Sequence, residues 1–214
     1  MSTSSARTGD TPAARQKRVW DKSAPNYDKQ IAFFEKNWFT GGREWLTSRA
    51  RGQVLEVAVG TGRNLAHYPA EATVTGIELS PAMLAIARQR AAGLGRDAEL
   101  LEGDAEHLPC GDASFDTVVC ALSLCTIPSP VRAIDEMKRV LVPGGRLLLL
   151  DHVGSTWPPV YAAQWLLEQV TVRAAGEHFT RRQLPLVQAA GFQVVEAERL
   201  KASTVERIHA VKPG

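Results

Sequence analysis

The sequence is poor in three features that would each point to a particular class of protein. It has only three cysteines in 214 residues, too few for a disulfide scaffold. No run approaches the roughly 20 consecutive apolar residues of a membrane-spanning helix. The 25 basic and 23 acidic residues leave a formal charge of +2, so no strong field favours nucleic acid. Because no secretory signal stands at the N-terminus, we expect a cytoplasmic protein without a nucleic-acid partner.

The N-terminal segment differs in composition from the rest of the chain. Residues 2–15 are rich in Ser, Thr, Gly and Pro and have no apolar side chain larger than alanine. Such a segment buries too little surface to offset its ordering entropy, so we predict a disordered tail over 1–15. A transit peptide is the alternative, which Asp10 disfavours. No further composition shift follows, so 16–214 is predicted to be one domain.

Five short apolar segments predict buried strands. They are rich in Val, Leu and Ile without strict alternation, which is typical of parallel strands covered on both faces. These segments are 53–59, 73–78, 98–102, 115–124 and 146–151.

Helix signals separate these segments. Ser80-Pro81 is a cap followed by a proline at the first helical position, and Gly93 follows the periodic stretch as its predicted end. Ser129-Pro130 begins a second helix, which Pro-Gly-Gly at 143–145 stops. Strands that alternate with helices indicate an α/β fold with a doubly wound sheet.

The C-terminal part has a different pattern. Thr180 and Gln183 have the spacing of a capping box, which predicts a helix running towards Gly191, although Pro185 sits late in its first turn. The segments 192–198 and 205–211 alternate clearly, as expected of an antiparallel pair at a sheet edge.

A glycine turn follows the first predicted strand. The run EVAVGTGRNL spans 56–65, and its glycines would let the backbone approach a ligand closely. A dinucleotide fingerprint would need a third glycine where Leu65 or Arg63 stands, so an NAD-dependent oxidoreductase is a weaker alternative. A tight turn without any ligand is the other alternative.

This run and four later blocks together resemble one family. GIELSP (76–81), GDAEHLP (103–109), FDTVVCALSLCTI (115–127) and VLVPGGRLLLLDH (140–152) follow in the order typical of class I S-adenosylmethionine-dependent methyltransferases. The resemblance implies a seven-stranded, mostly parallel Rossmann-like sheet with an antiparallel C-terminal hairpin. It also implies S-adenosylmethionine as cofactor. Ala58 departs from the family, which most often has glycine there.

The resemblance further implies a set of cofactor-binding residues. Glu78, at the end of the second strand, would accept hydrogen bonds from the ribose hydroxyls, and Asp104 would accept one from the adenine amine. Met83 would pack on the adenine face. The whole expected set is Tyr27, Glu56, Ala58, Gly60, Thr61, Gly62, Asn64, Glu78, Leu79, Met83, Asp104, Ala105, Ala121, Leu122 and Ser123.

Three residues are candidate catalytic groups. Methyl transfer from a sulfonium mainly needs aligned reactants and exclusion of water, and it needs a base only for a protonated nucleophile. Asp151 and His152 follow the fifth strand, and His178 precedes the last helix. Aromatic residues concentrate in a predicted helical lid region, 16–50, and in an insert, 153–179, so we expect an apolar lid over the cofactor.

The acceptor stays open among several classes. Quinone C-, phosphatidylethanolamine N- and thiol S-methyltransferases share parts of the pattern, so the expected acceptor is small or lipophilic: a thiol, an amine or a quinone-like molecule. A non-catalytic cofactor-binding module of the same fold is the alternative. Cys120 and Cys125 lack metal-site spacing, so no metal is expected. RQKR, at 15–18, would make at most peripheral contact with a membrane.

Overall fold

The computed structural model describes residues 11–214. Its strands are β1 (Gln53–Val57), β2 (Thr73–Glu78), β3 (Ala98–Glu102), β4 (Phe115–Ala121), β5 (Leu141–His152), β6 (Gln193–Leu200) and β7 (Val205–Val211). They form one sheet in the order β3-β2-β1-β4-β5-β7-β6. The pairs among β1 to β5 are parallel, whereas β7 is antiparallel to both β5 and β6. The predicted mostly parallel sheet with an antiparallel C-terminal hairpin is therefore confirmed.

Helices connect the strands. They are α1 (Pro12–Asn37), α2 (Gly42–Thr47), a 3₁₀ turn (Arg63–Ala66), α3 (Pro81–Leu94), α4 (Pro130–Val140), α5 (Pro158–Ala175) and α6 (Gln183–Ala189). Both predicted Ser-Pro starts are confirmed. Ser80 Oγ accepts a hydrogen bond from Met83 N at 3.2 Å, and Ser129 Oγ accepts one from Arg132 N at 3.4 Å.

The sheet is buried on both faces. Val118 and Val119 are adjacent in β4 and both fully buried, yet they belong to two different apolar clusters. Successive side chains of a strand point to opposite faces, so each cluster marks one face. This double burial explains why the predicted strands read as continuous apolar runs.

Helix α1 begins earlier than the sequence predicts. Thr11 Oγ1 accepts a hydrogen bond from Ala14 N at 3.2 Å, and Pro12 occupies the first helical position. Residues 12–15 are therefore helical and not part of a disordered tail. The prediction for residues 1–10 falls outside the described residues.

The RQKR run at 15–18 lies in the first turns of α1. Arg15 donates to Arg173 O, Gln16 is buried, and Lys17 pairs with Glu102. Successive residues of a helix point in different directions, so RQKR is divided among several environments.

Helix α3 ends two residues later than predicted. It continues through Gly93, and Gly95 takes the left-handed conformation with φ +59°. Arg96 N then donates to Ala91 O at 2.9 Å, and Gly95 N donates to Ala92 O at 3.1 Å. These two bonds close the end of the helix, and the left-handed residue that they require is Gly95.

The predicted capping box before α6 is absent. Thr180 donates instead to Glu168, with both N and Oγ1 lying 2.7 Å from Oε2. Gln183 is buried and begins the helix, so Pro185 falls in the first turn, where its missing N–H costs little.

Two strand boundaries also differ from the prediction. β4 ends at Ala121, not 124, because Leu122 turns to a φ of +55°. β5 begins at Leu141 rather than 146, and the residues 142–145 bulge out of its pairing with β4. The Pro-Gly-Gly stop nevertheless ends α4 at Val140, as predicted.

Candidate active site

The carboxyl ends of β1 and β4 lie side by side at the centre of the sheet, where the strand order reverses. Ligands of open α/β sheets bind at such a switch point. Each strand is followed directly by a non-glycine residue with left-handed backbone, Ala58 at φ +57° and Leu122 at φ +55°. This conformation is strained for L-residues, and strained backbone concentrates at functional sites.

The two glycines after β1 have different tasks. A Cβ built on Gly60, at φ +58°, would meet no atom within 4 Å, so this side of the turn is open to a ligand. A Cβ on Gly62 would lie 2.8 Å from Leu65 Cδ1 and 3.2 Å from Ala87 Cβ. Gly62 therefore lets the turn pack against α3, and it does not line the cleft.

Glu78, at the end of β2, connects the glycine turn to α3. Its Oε2 accepts a hydrogen bond from Gly60 N at 2.9 Å, and its Oε1 accepts one from Ser80 N at 2.9 Å. Burial raises the pKa of Glu78, and the backbone N–H groups offset this only in part. Each carboxylate oxygen can accept a further hydrogen bond, and Glu78 lines the cleft.

A buried polar chain lies behind the turn. Arg43 Nη1 donates to Asn64 Oδ1 at 2.7 Å, and Asn64 Nδ2 donates to Glu56 Oε1 at 2.8 Å. Tyr68 OH donates to the second oxygen of Glu56, also at 2.8 Å. Burial raises the pKa of Glu56 to about 7. Glu56 and Arg43 line the cleft, whereas Asn64 is fully buried behind it and positions Glu56.

We call this concavity the polar cleft. Asp104 and Met83 lie in its wall, and Asp104 Oδ1 accepts a hydrogen bond from Glu106 N at 2.9 Å. Of the expected cofactor-binding residues, all except Gly62 and Asn64 line it. Those that do are Tyr27, Glu56, Ala58, Gly60, Thr61, Glu78, Leu79, Met83, Asp104, Ala105, Ala121, Leu122 and Ser123.

Helix α1 covers the polar cleft with residues that the sequence analysis missed. Gln16 is only 6% exposed and lines the cleft, and its Nε2 has no hydrogen-bond partner among the described residues. Trp20 lies beside it in the same wall. A single glutamine inside RQKR has no recognisable pattern, so only the packing of α1 on the cleft reveals it.

Arginines line the polar cleft near the glycine turn. Arg63 donates through Nε to Glu35 Oε2 at 3.0 Å, and Arg43 donates through Nε to Glu35 Oε1 at 2.9 Å. Thr61 Oγ1 donates to Asp28 Oδ1 at 2.7 Å. These contacts tie α1 to the turn.

A second concavity, which we call the aromatic cavity, adjoins the polar cleft. It holds about 530 Å³. The two spaces share four wall residues: Trp20, Tyr27, Leu122 and Thr126. The remaining apolar wall consists mainly of side chains from α1 and α5 and their flanks, namely Val19, Ile31, Phe34, Trp38, Phe39, Leu167, Ala175 and Phe179.

Not every aromatic residue of the two predicted lid regions reaches this cavity. Trp45 is buried in the core with Arg49 stacked on its ring at 4.2 Å. Trp157, Tyr161 and Trp165 are exposed and do not line it. Tyr27 lies at the junction, and burial raises the pKa of its hydroxyl to about 12.

One corner of the aromatic cavity is polar. His152, at the end of β5, places Nε2 3.3 Å from Glu177 Oε1, and its ring stacks on Phe179 with centroids 4.5 Å apart. Burial alone would lower the pKa of His152, but Glu177 and Asp151 more than offset it and raise the pKa above the usual histidine value. Nε2 faces the Glu177 carboxylate, and Nδ1 has no hydrogen-bond partner among the described residues.

The structure does not bring Asp151 or His178 to either space. Asp151 is buried and accepts hydrogen bonds from Cys125 N at 3.0 Å and His152 N at 2.8 Å. His178 places Nδ1 3.2 Å from Glu168 Oε1, and its N donates to Cys125 O at 3.0 Å. Both residues hold the turn at Cys125 in place.

Cys125 lies in the turn after β4. With His152 and Glu177 it forms the only group within 11–214 whose potential metal-ligand atoms lie within 4.8 Å of one another. Burial raises the pKa of its thiol, and the hydrogen bond to Asp151 acts in the same direction. A protonated thiol is a poor metal ligand, so the expectation of no metal stays a prediction.

Comparisons with known proteins agree with this geometry. A doubly wound sheet with a glycine turn and a carboxylate at its switch point is typical of proteins that bind a nucleotide-containing cofactor. Residues 55–149 match the family model described as "Methyltransferase domain". The chain is 39% identical over 115 residues to a phosphatidylethanolamine N-methyltransferase of Cereibacter sphaeroides, covering 53% of this chain and 57% of that one.

Two longer matches extend the likeness. A demethylmenaquinone methyltransferase of Clavibacter sepedonicus is 31% identical, covering 91% of this chain and 89% of that one. The thiol S-methyltransferase TMT1A of Homo sapiens is 30% identical, covering 82% and 74% respectively. The chain belongs to the class I S-adenosylmethionine-dependent methyltransferases, a family of enzymes whose methyl donor is S-adenosylmethionine.

The chain spans only part of the length of several curated relatives. The matches span 56–64% of the length of the first three curated relatives. The solved structure of the [4+2]-cyclase SpnF matches with a TM-score of 0.75 at 20% identity, covering 95% of this chain and 96% of that one. That likeness shows the fold alone.

The residues of the polar cleft fit this cofactor. The Glu78 carboxylate can accept hydrogen bonds from ribose hydroxyls, and Gln16 Nε2 is a donor without a hydrogen-bond partner within residues 11–214. The open side of Gly60 leaves room for a ligand where a side chain would project. The fit therefore depends on the donor Gln16 Nε2, the acceptor Glu78 and the free space beside Gly60.

Proposed function

We propose that the protein transfers the methyl group of S-adenosylmethionine, bound in the polar cleft, to a lipophilic acceptor in the aromatic cavity. The proposal depends mainly on one observation: the two spaces share the wall formed by Trp20, Tyr27, Leu122 and Thr126. A displacement needs nucleophile, methyl carbon and leaving sulfur in line, and adjoining spaces supply that alignment. The apolar wall of the second space favours a lipophilic acceptor.

The cofactor supplies a methyl group that is already activated by the positive charge on its sulfur. In our proposal Glu78 accepts hydrogen bonds from the ribose hydroxyls, and Asp104 accepts one from the adenine amine. Gln16 Nε2 donates to the bound cofactor from α1. Gly60, Thr61 and Ser123 line the methionine side of the cleft, while Leu79, Met83, Ala105, Ala121 and Leu122 supply its packing surface.

His152 is the proposed general base. It lines the aromatic cavity, and Glu177 stabilises the imidazolium that forms when His152 takes a proton. Asp151 is a proposed positioning residue, since its carboxylate accepts hydrogen bonds from the backbone N–H groups of Cys125 and His152 and from the Cys125 thiol. His178, which reaches neither space, has no proposed part in proton transfer.

The polar corner favours acceptors that lose a proton to become anionic. A neutral His152 can take the proton of a thiol or a phenol, and Glu177 stabilises the imidazolium beside the anion that forms. We therefore place lipophilic thiols and quinone-like phenols ahead of aminophospholipids.

The test is a transfer assay with labelled S-adenosylmethionine across lipophilic thiols, phenols, hydroquinones and aminophospholipids. We expect label on a thiol or a phenol-type acceptor, and loss of turnover in His152→Gln. Preference for an aminophospholipid would contradict the acceptor proposal. Cofactor binding without transfer to any acceptor would favour a non-catalytic module, and a melting temperature raised only by NAD would favour the oxidoreductase alternative.

A further inference from the structure

Helix α5 turns Gln164 and Glu168 inward and leaves many of its apolar side chains exposed. Gln164 donates to Val153 O and accepts from Ser155 N, while Glu168 accepts from Thr180. No residue of α5 is fully buried. On its outer side Leu166 is 63% exposed and Val170 is 66% exposed. This is the reverse of a surface helix that has only water around it.

The C-terminal half of α1 adds exposed aromatic side chains. Phe33 and Phe34 pack edge to face with centroids 5.7 Å apart, and Trp38 lies 6.2 Å from Phe34. We call the exposed surface of Phe33, Phe34, Trp38, Trp165, Leu166 and Leu167 the apolar rim.

The apolar rim is continuous with the aromatic cavity. Phe34, Trp38 and Leu167 are all strongly exposed, and all three also line the cavity. A molecule that crosses this rim would pass from an apolar surrounding into an apolar cavity without entering water.

Charged residues on α1 form an acidic and a basic stripe, and within each stripe the residues recur every seven positions. Lys22, Lys29 and Lys36 are exposed and make no ion pair among residues 11–214. The acidic residue directly before each lysine is bonded to another part of the protein, so it does not neutralise that lysine. Asp21 accepts from Ser80, Asp28 pairs with Arg90, and Glu35 pairs with Arg43 and Arg63.

Free charge beside the apolar rim is therefore positive. Glu168 is the only acidic residue of α5, and it faces inward to His178 and Thr180. A second copy of the chain would present the same cations, whereas anionic lipid head groups offer the opposite charge.

We propose that the apolar rim and the Lys22–Lys29–Lys36 stripe dock on the surface of an anionic phospholipid bilayer, with the aromatic cavity opening towards it. Aromatic and aliphatic side chains enter the interface while lysines contact the head groups, as in interfacial helices. Docking itself does not depend on which acceptor is methylated. Delivery of an acceptor from the bilayer rests on the proposed function.

The first test measures binding of the full chain to vesicles by co-sedimentation. We expect binding to vesicles of phosphatidylcholine with phosphatidylglycerol, and much weaker binding to phosphatidylcholine alone or at high salt. Replacing Trp165 and Leu166 together by Ser should lower the partition coefficient more than tenfold. Leu94→Ser is the matched control, because Leu94 is exposed at the far end of α3, and it should leave binding unchanged.

The charge contribution has its own variant. Lys29→Gln and Lys36→Gln should each weaken binding to phosphatidylglycerol vesicles about fivefold. Equal vesicle binding by the wild-type chain and the Trp165/Leu166 variant would overturn the proposal. So would the absence of vesicle binding, or a dimer in solution that this variant abolishes.

Turnover separates this proposal from the proposed function. The Trp165/Leu166 variant should keep its kcat on a short-chain soluble acceptor and lose turnover of an acceptor embedded in vesicles. Vesicle binding with no transfer to any acceptor would retain the docking surface and reject the proposed function.

Discussion

The polar cleft and the aromatic cavity differ in how they are built. The cleft is formed mostly by the short segments that follow β1, β2, β3 and β4, each a few residues from its strand. The cavity combines α1, the turn at Cys125, α5 and residues near Phe179, which are far apart in the chain. A site made at strand ends follows from local patterns and sheet topology, whereas a site made between helices depends on how those helices pack.

The largest expected effect comes from a residue of the aromatic cavity, and it changes turnover without changing cofactor binding. His152→Gln should lower kcat about 10²–10⁴-fold, because the acceptor would lose its base. Cofactor affinity should stay the same, since His152 does not line the polar cleft. Steady-state kinetics and calorimetric titration measure the two effects, and normal turnover on the true acceptor would eliminate His152 as the base.

Glu78→Ala should act on the polar cleft alone. Loss of charge-assisted hydrogen bonds should weaken cofactor binding by about 1.5–3 kcal/mol. The melting temperature should also fall, since Gly60 N and Ser80 N would lose their acceptor. Calorimetric titration measures the affinity, and an unchanged dissociation constant would remove Glu78 from the site.

Gln16→Leu and Gln30→Leu are matched substitutions on α1, the first in the polar cleft and the second in the aromatic cavity. Gln16 lines the polar cleft with an unpaired Nε2, whereas Gln30 lines the aromatic cavity. We expect Gln16→Leu to weaken cofactor binding by about 1 kcal/mol and Gln30→Leu to leave it unchanged. Equal effects of the two substitutions would mean that α1 acts only as a cover.

The pH dependence sharpens the assignment of the polar corner. His152 must be neutral to act as a base, and its raised pKa places the acidic limb of the rate profile above the usual histidine range. Glu177→Gln removes a charge that raises this pKa, so the limb should move to lower pH. The profile of kcat/KM measures this shift. Glu168→Gln is the comparison, and its effect should be smaller because Glu168 acts on His152 only through its charge, whereas Glu177 lies 3.3 Å from Nε2. If the acidic limb of the profile does not move, a group other than His152 controls the pH dependence.

The smallest expected effect concerns backbone strain at the cleft. Ala58→Gly should stabilise the protein by about 0.5–1 kcal/mol, because a left-handed conformation is costly for alanine and free for glycine. Thermal unfolding should show a rise of about 2 °C. Ala121→Gly, at the end of β4 without a positive φ, should lower the melting temperature instead.

The sequence alone determined the fold class and most of the polar cleft. Strand, turn and helix follow one another locally, with Ser80 and Ser129 as caps, and parallel strands bring their carboxyl ends to one edge. Predictions were wrong where a tertiary contact replaces a local one. Thr180 bonds to Glu168, so the predicted capping box does not form.

Only the tertiary structure decided what surrounds the acceptor. Among Asp151, His152 and His178, sequence position could not distinguish the one that lines a cavity from the two that hold a turn. The position of Gln16 in the cleft and the exposed apolar face of α5 could not be predicted from the sequence either. Helix packing decides which side of a helix lies against the rest of the protein. Such contacts join residues that are distant in the chain, and no local spacing encodes them.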